Sequence, residues 1–241
     1  MADNLFYCPD IGHNPILPEQ ESQHCAKVLR MREGDLLTIT DGEGQFFDCK
    51  LLLSHPKKSM VTILRQWEEP RKRDFLLHIA FSPTKQMDRN EWFVEKATEI
   101  GVDRFTPILG SFSERKEIKR ERLDKIAIAA MKQSQQSRLP IIDEMLPFGK
   151  LVGQPFAGRK FIAHCYDLPK SPLSQSYRKG ENALILIGPE GDFSEQEVAE
   201  AINNGFEPVS LGDTRLRTET ASLVALHTIH LINAITKDSG K

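Results

Sequence analysis

The stretch Ala183-Leu184-Ile185-Leu186-Ile187-Gly188-Pro189-Glu190-Gly191-Asp192-Phe193-Ser194-Glu195-Gln196-Glu197 decides how the chain is read. Its five leading apolar residues predict a short buried strand. The strand stops at Gly188-Pro189-Glu190-Gly191, and Ser194, with Glu197 three residues on, forms a capping box that opens a helix. Glycine has no Cβ, so backbone at such a turn can approach a ligand closely. A second turn of this kind lies at Leu211-Gly212-Asp213-Thr214-Arg215-Leu216-Arg217-Thr218-Glu219-Thr220-Ala221, another strand end running into another helix.

Upstream, from Phe75, strands alternate with helices. Strands are predicted over 76–81, 105–109, 160–166 and 208–211. A polar loop over 83–89 carries Lys85 and Arg89. A helix over 90–100 turns Trp92, Phe93, Ala97 and Ile100 inward and ends at Gly101. A charged, exposed run follows at 114–120. A helix over 121–137 comes next, and its polar end, Gln133 to Arg138, reads equally as a site lining or a plain helix end. Alternation of this kind implies a mostly parallel sheet covered on both faces, with ligands at the carboxyl ends of its strands. Both glycine turns and His164 fall there. The helix over 195–204 closes at Gly205. The last helix, over 220–236, is apolar nearly all round and needs cover on more than one side; a second copy of the chain is the expected cover.

Residues 1–70 read as a small β-rich barrel. A helix over 20–31 has Ser22 as its cap and Ala26, Val28 and Leu29 on its apolar side. Strands over 36–40, 46–53 and 60–64 follow, the first two joined by the hairpin signal Asp41-Gly42-Glu43-Gly44. His24, Lys27, Arg30 and Arg32 are either a solvated face or a phosphate-contacting patch. The charged, proline-containing Glu68-Glu69-Pro70-Arg71-Lys72-Arg73-Asp74 separates this unit from an α/β unit over 74–241.

Composition removes several classes. A net charge of −2 excludes a uniformly basic nucleic-acid coat, so any RNA contact must be local. No stretch has the apolar length of a membrane span, and the first residues lack the features of a signal peptide, so a cytoplasmic protein is expected. The four cysteines, Cys8, Cys25, Cys49 and Cys165, are scattered and expected as reduced thiols. No His/Cys/Asp cluster has zinc spacing, so no metal is expected. The turn at Gly188 is neither a P-loop nor a dinucleotide-binding GxGxxG. His164 and Cys165 have no second element to mark a nucleophilic pair.

The two turns resemble, residue by residue, the signature motifs of the bacterial 16S ribosomal RNA uracil-N3 methyltransferase family of the SPOUT superfamily. They do so as Gly188-Pro189-Glu190-Gly191-x-Phe193-Ser194-x-x-Glu197 and Leu211-Gly212-x-x-x-Leu216-Arg217-Thr218-Glu219-Thr220-Ala221. Glu95-Lys96-Ala97-Thr98-Glu99-Ile100-Gly101, Gln133-Ser134 with Arg138-x-Pro140, and His24-x-x-x-Val28-Leu29-Arg30-x-x-x-Gly34-Asp35 extend the likeness over nearly the whole chain. The chain departs at Asp192, where the family has Gly, and at Asp213-Thr214-Arg215, where it has Pro-Arg-Ile.

The resemblance implies an α/β fold: an N-terminal PUA-like β-barrel that holds RNA, and a C-terminal SPOUT domain with a trefoil knot that dimerises. It implies S-adenosyl-L-methionine as cofactor. Cofactor-binding candidates are His164, Leu186, Ile187, Gly188, Pro189, Glu190, Gly191, Leu211, Gly212, Leu216, Arg217 and Thr218. Glu190, Arg217 and Glu219 are the catalytic candidates, although Glu219 equally suits its helix start. His24, Lys27, Arg30, Arg32, Lys85 and Arg89 are the candidates for contact with 16S rRNA of the small ribosomal subunit. Two other readings stand beside it: a non-catalytic RNA-binding assembly factor, and a phosphate-binding enzyme using the glycine turn and helix start.

Overall fold

The computed structural model describes residues 4–69 and 73–235. Pro70, Arg71 and Lys72 of the predicted boundary and Thr236 of the predicted last helix lie outside the described residues. Spatial proximity groups Met1–Arg73 with Ile128–Leu139 as one unit, and Asp74–Ala127 with Pro140–Lys241 as the other. The expected α/β unit is thus interrupted by a segment that packs with the N-terminal one.

In the first unit, β1 (Leu5–Tyr7) lies parallel to β2 (Leu36–Thr40), and β2, β3 (Gln45–Leu53) and β4 (Met60–Glu68) form an antiparallel meander. Alternation along β3 buries Phe47, Cys49 and Leu51. Gly42 and Gly44, at φ +82° and +112°, turn the chain between β2 and β3. The predicted helix at 20–31 is replaced by α1 (Glu19–Gln23) running into a π-turn over His24–Val28. Ser22 does not cap it; its buried hydroxyl donates to the Leu17 carbonyl at 2.9 Å. Val28 is 64% exposed rather than inward. Burial raises the Cys8 and Cys49 thiols to about 11 and about 12, so these are inert core fillers. The 128–139 segment closes the unit: Ser137 and Gly42 carbonyls accept the Gly44 and Leu139 amides at 3.0 and 2.8 Å, and Lys132 pairs with Glu21 at 2.6 Å.

The second unit contains β5 (Leu77–Phe81), α2 (Met87–Ile100), β6 (Arg104–Leu109), most of α3 (Arg120–Gln133), β7 (Ile141–Ile142), β8 (Leu146–Pro147) and α4 (Phe148–Val152). It continues through β9 (Arg159–Ala163), β10 (Ser171–Pro172), α5 (Leu173–Ser176), β11 (Ala183–Ile187), α6 (Glu195–Asn203), β12 (Glu207–Ser210) and α7 (Thr218–Ala234). Its sheet runs β10-β12-β9-β11-β5-β6-β7, with β8 also on β6, and every pairing is parallel. All five residues of β11 are buried, as a central strand covered on both faces requires. Leu184 and Leu186 pack with Phe148, Leu151, Phe193 and Val198 on the α4–α6 side. On the other side α2 and α7 pack together, and Phe81, Phe93 and Phe105 meet edge to face at 4.9 to 6.4 Å. Trp92 and Ile100, expected inward, are 45% and 37% exposed; α2 begins three residues early, and its buried stripe is Asn90, Phe93, Val94, Ala97 and Thr98.

One buried polar network sits on β5 and β6. The His78 Nε2 lies 2.7 Å from the Thr106 hydroxyl, Thr106 donates to Asp143, and Arg104 grips Asp143 at 2.7 and 2.8 Å. Burial, helped by the Arg104 charge, holds His78 down to about 4. Between pH 6.5 and 4 the unfolded chain therefore binds a proton that the folded chain refuses, and stability falls as pH falls. The effect approaches about 3 kcal/mol. In urea unfolding, the stability advantage of the wild type over His78→Asn should shrink steadily across that window.

Candidate functional site

Parallel strands deliver their following loops to one edge of the sheet. The loops after β9, β11 and β12, with the first turn of α7, enclose a cavity of about 580 Å³, a size suited to a small organic ligand. The loops are fastened to one another, or braced within themselves, by side chains that bond backbone. The buried Thr218 hydroxyl donates to the Gly188 carbonyl at 2.9 Å. Asp192 accepts the Cys165 amide at 2.7 Å and its neighbour Phe193's amide at 2.8 Å. Lys170 donates to the His164 and Tyr166 carbonyls at 3.0 and 2.6 Å. The predicted capping box is present: Ser194 accepts the Glu197 amide at 3.2 Å and donates its own to Glu197 at 2.8 Å. The other Glu197 oxygen accepts the Ser111 amide at 2.8 Å, tying in the loop after β6.

Asp192 gives this chain's departure from the family pattern a physical role. Its φ is +67°, a conformation that glycine adopts freely and that Asp tolerates better than most residues. The carboxylate uses that geometry to bridge two loops.

The cavity wall mixes charges: Glu190, Asp192 and Asp213 against Lys170, Arg215 and Arg217. His164 also lines it, is buried, and neither ring nitrogen has a hydrogen-bond partner. Burial and the Lys170 charge lower its pKa below the usual value of 6.5, so the ring is neutral at pH 7 and offers one donor and one acceptor. Burial and Asp192 raise the Cys165 thiol, which leaves no activated nucleophile beside it.

Of the expected cofactor residues, His164, Ile187, Gly188, Pro189 and Glu190 line the cavity, as do Leu211, Gly212, Leu216, Arg217 and Thr218. Leu186 does not; it is buried in the apolar cluster beneath. Gly191 stands against Phe112, outside the lining. Arg217 occupies the N-cap position of α7 and is exposed. Glu219 is buried and outside the lining; one oxygen lies 3.5 Å from Arg89 and the other has no partner. Glu190 accepts the Lys85 amide at 3.1 Å, so Lys85 and Arg89 reach the edge that carries Glu190 and Glu219. His24, Lys27, Arg30 and Arg32 belong to the first unit, the last three exposed and His24 against the Phe6 ring at 5.9 Å. Lys170 and Arg215 went unread in sequence. Arg215 sat inside a motif, whereas Lys170 had no local cue. Among the described residues no group of three or more His, Cys, Asp or Glu could hold a metal ion.

Comparison with known proteins bears on this geometry. Residues 71–230 match the family described as RNA methyltransferase domain, and residues 17–64 the RNA methyltransferase PUA domain. A Bacillus subtilis protein named ribosomal RNA small subunit methyltransferase E is 30% identical over 223 residues, 87% of each chain. A probable rRNA-methyltransferase from Porphyromonas gingivalis superposes with a TM-score of 0.91 at 44% identity, over 96% of this chain and 98% of that one. A ribosomal RNA small subunit methyltransferase E from Neisseria gonorrhoeae, bound to S-adenosyl methionine, superposes with a TM-score of 0.84 at 26% identity, over 95% and 97%.

The Asp192 bridge is testable by urea unfolding. Asp192→Ala should lose about 1–2 kcal/mol, through the lost hydrogen bonds and the strained φ. Asp192→Gly should lose less, because glycine relieves the strain while forfeiting the same bonds.

Proposed function

The chain belongs to the RNA methyltransferase family whose domain spans residues 71–230, and from that premise we propose that it methylates N3 of a specific uridine in 16S rRNA, using S-adenosylmethionine. The observation that carries this reading is the three-loop cavity with the unpartnered His164 ring in its wall. The residues fit the cofactor. A buried neutral imidazole offers hydrogen bonds without setting a like charge beside a cationic sulfonium, and Glu190 and Asp192 add negative charge. His164, with the backbone of 188–190 and 211–218, would hold it. Bound there, the cofactor supplies an electrophilic methyl group, so the protein's task is to place an acceptor and handle its proton.

Uridine N3 must lose a proton to become a good nucleophile. Glu190, a carboxylate at the cavity wall, takes that proton. Arg217, exposed at the start of α7, stabilises the negative charge left on the uracil oxygens. Glu219 acts as a positioning residue, holding Arg89 at the rim. The N3 edge is occupied in a duplex, so the target is unpaired or flipped out. In this reading residues 1–70 hold RNA with His24, Lys27, Arg30 and Arg32, and residues 74–241 bind the cofactor.

The route of the chain supports the trefoil knot. β12 lies beyond β9 in the sheet, yet α7, which follows it, packs on β5 and β11, and Thr218 bonds Gly188 in the neighbouring loop. Exposed apolar side chains support a homodimer: Leu231 and Ile235 near the end of α7 are 49% and 57% exposed.

Arg217→Ala should lower kcat by about 100-fold, the scale of a lost charge-stabilising group, while calorimetry with S-adenosylmethionine shows little change in affinity. Unchanged turnover contradicts the role of Arg217. A wild-type chain that binds RNA but no cofactor is the non-catalytic assembly factor instead. In sedimentation, the wild type should run as a dimer at micromolar concentration and Leu231→Glu as a monomer.

A further inference from the structure

The loop after β6 has no part in the cavity wall, yet it is held firmly beside it. The Ser111 amide is bound by Glu197, and the buried Ser113 hydroxyl accepts the Gly110 amide at 2.8 Å and meets Ser82 at 2.6 Å. Between these two anchors stands Phe112, 51% exposed. It packs against Gly191 so closely that a Cβ there would lie 3.1 Å from the Phe112 Cβ. A pinned backbone thus presents an aromatic ring next to the loop that carries Glu190.

Beyond Phe112 a second cavity, about 400 Å³, is lined by Lys85, Glu114, Arg115, Lys116 and Glu117. It adjoins the first, since the Lys85 amide bonds Glu190 at 3.1 Å. Arg115 is oriented by its bonds to the Thr84 and Lys85 carbonyls. Three cations face two carboxylates, and Glu114 is 3.1 Å from Lys85 in an exposed ion pair that an incoming anion can displace at small cost. An exposed ring beside clustered cations suits a strand with flat bases and regularly spaced phosphates.

We propose that this loop is the acceptor side of the site: Phe112 is the stacking surface for an unpaired RNA base, and the Lys85–Arg115–Lys116 cleft seats the phosphates flanking it. The proposal rests on the methyltransferase reading and gives that site its substrate-positioning half. Stacking is tolerant of base identity, so Phe112 supplies affinity and orientation, and the choice of uridine comes from elsewhere.

The test follows labelled methyl transfer from S-adenosylmethionine to small ribosomal subunits from a host lacking the gene. Binding of a uridine-containing single-stranded oligoribonucleotide is measured across a salt series. Phe112→Ala should lower kcat/KM for RNA by about 10- to 100-fold, the worth of one stacked base. Phe112→Trp should restore most of it, and cofactor affinity should stay at the wild-type value in both. Lys116→Ala, which breaks no bond that orients the loop, should reduce the slope of log Kobs against log salt by about 0.7, one phosphate contact on a single strand. Phe112→Ala at wild-type kcat/KM, or a salt slope unmoved by Lys116→Ala, overturns the proposal and leaves the methyltransferase reading intact. A wild-type chain that transfers no methyl to RNA overturns that reading and this one with it.

Discussion

The hydroxyl of Thr218, buried and donating to the Gly188 carbonyl at 2.9 Å, joins the start of α7 to the end of β11. Much of the site depends on that kind of contact. A loop whose own backbone is to face a ligand cannot also spend those groups on regular hydrogen bonding with its neighbours. It must be held by side chains. Here Thr218, Asp192, Lys170 and Tyr166 each bond a backbone group in or beside the loops, and Glu197 extends the same arrangement to the loop after β6. Thr218, Asp192 and Lys170 do both, holding the loops and lining the cavity, while Tyr166 and Glu197 hold from outside it.

The fold treats its two buried imidazoles differently. His78 lies in a closed network with Thr106, Asp143 and Arg104, away from the cavity, and its partners are all protein. His164, also buried, has none, and it lies in the cavity wall. A buried donor or acceptor without a partner costs stability, so the fold sustains at His164 an expense it avoids at His78. Glu219 stands between the two cases, with one oxygen paired to Arg89 and one unpaired.

The sheet and its glycine turns were legible because local signals agreed. The all-apolar β11, the capping box at Ser194 and Glu197, and glycine at both turns each point to strand, loop and helix start in one order. Local pattern fails where tertiary packing overrules it. Residues 20–31 carry an amphipathic helical pattern, yet the helix gives way to a π-turn, Arg30 takes φ +53°, and Val28 faces out. The sequence predicts one helix over 121–137, yet it ends at Gln133 and residues 128–139 group with the N-terminal unit, through pairings about a hundred residues apart that no local window contains. Within the site, the glycines and Arg217 stood in motifs. The Asp192 bridge is not legible because it reaches a loop 27 residues away, and Lys170 is not because its contacts within its own loop follow no recognised sequence pattern. Phe112 stands next to a charged run whose cations meet Lys85 only in three dimensions, so no local pattern marks it.

In the proposed reading methyl donor and acceptor take adjoining spaces at one sheet edge, with Glu190 lining the first and bonding the backbone of Lys85 in the second. A crystal structure of the chain soaked in S-adenosylmethionine tests that arrangement most directly. The account predicts the cofactor between the loops that follow β9, β11 and β12, with a ring nitrogen of His164 within hydrogen-bond distance of it. Density for the cofactor in any other crevice, with those three loops left empty, would contradict it.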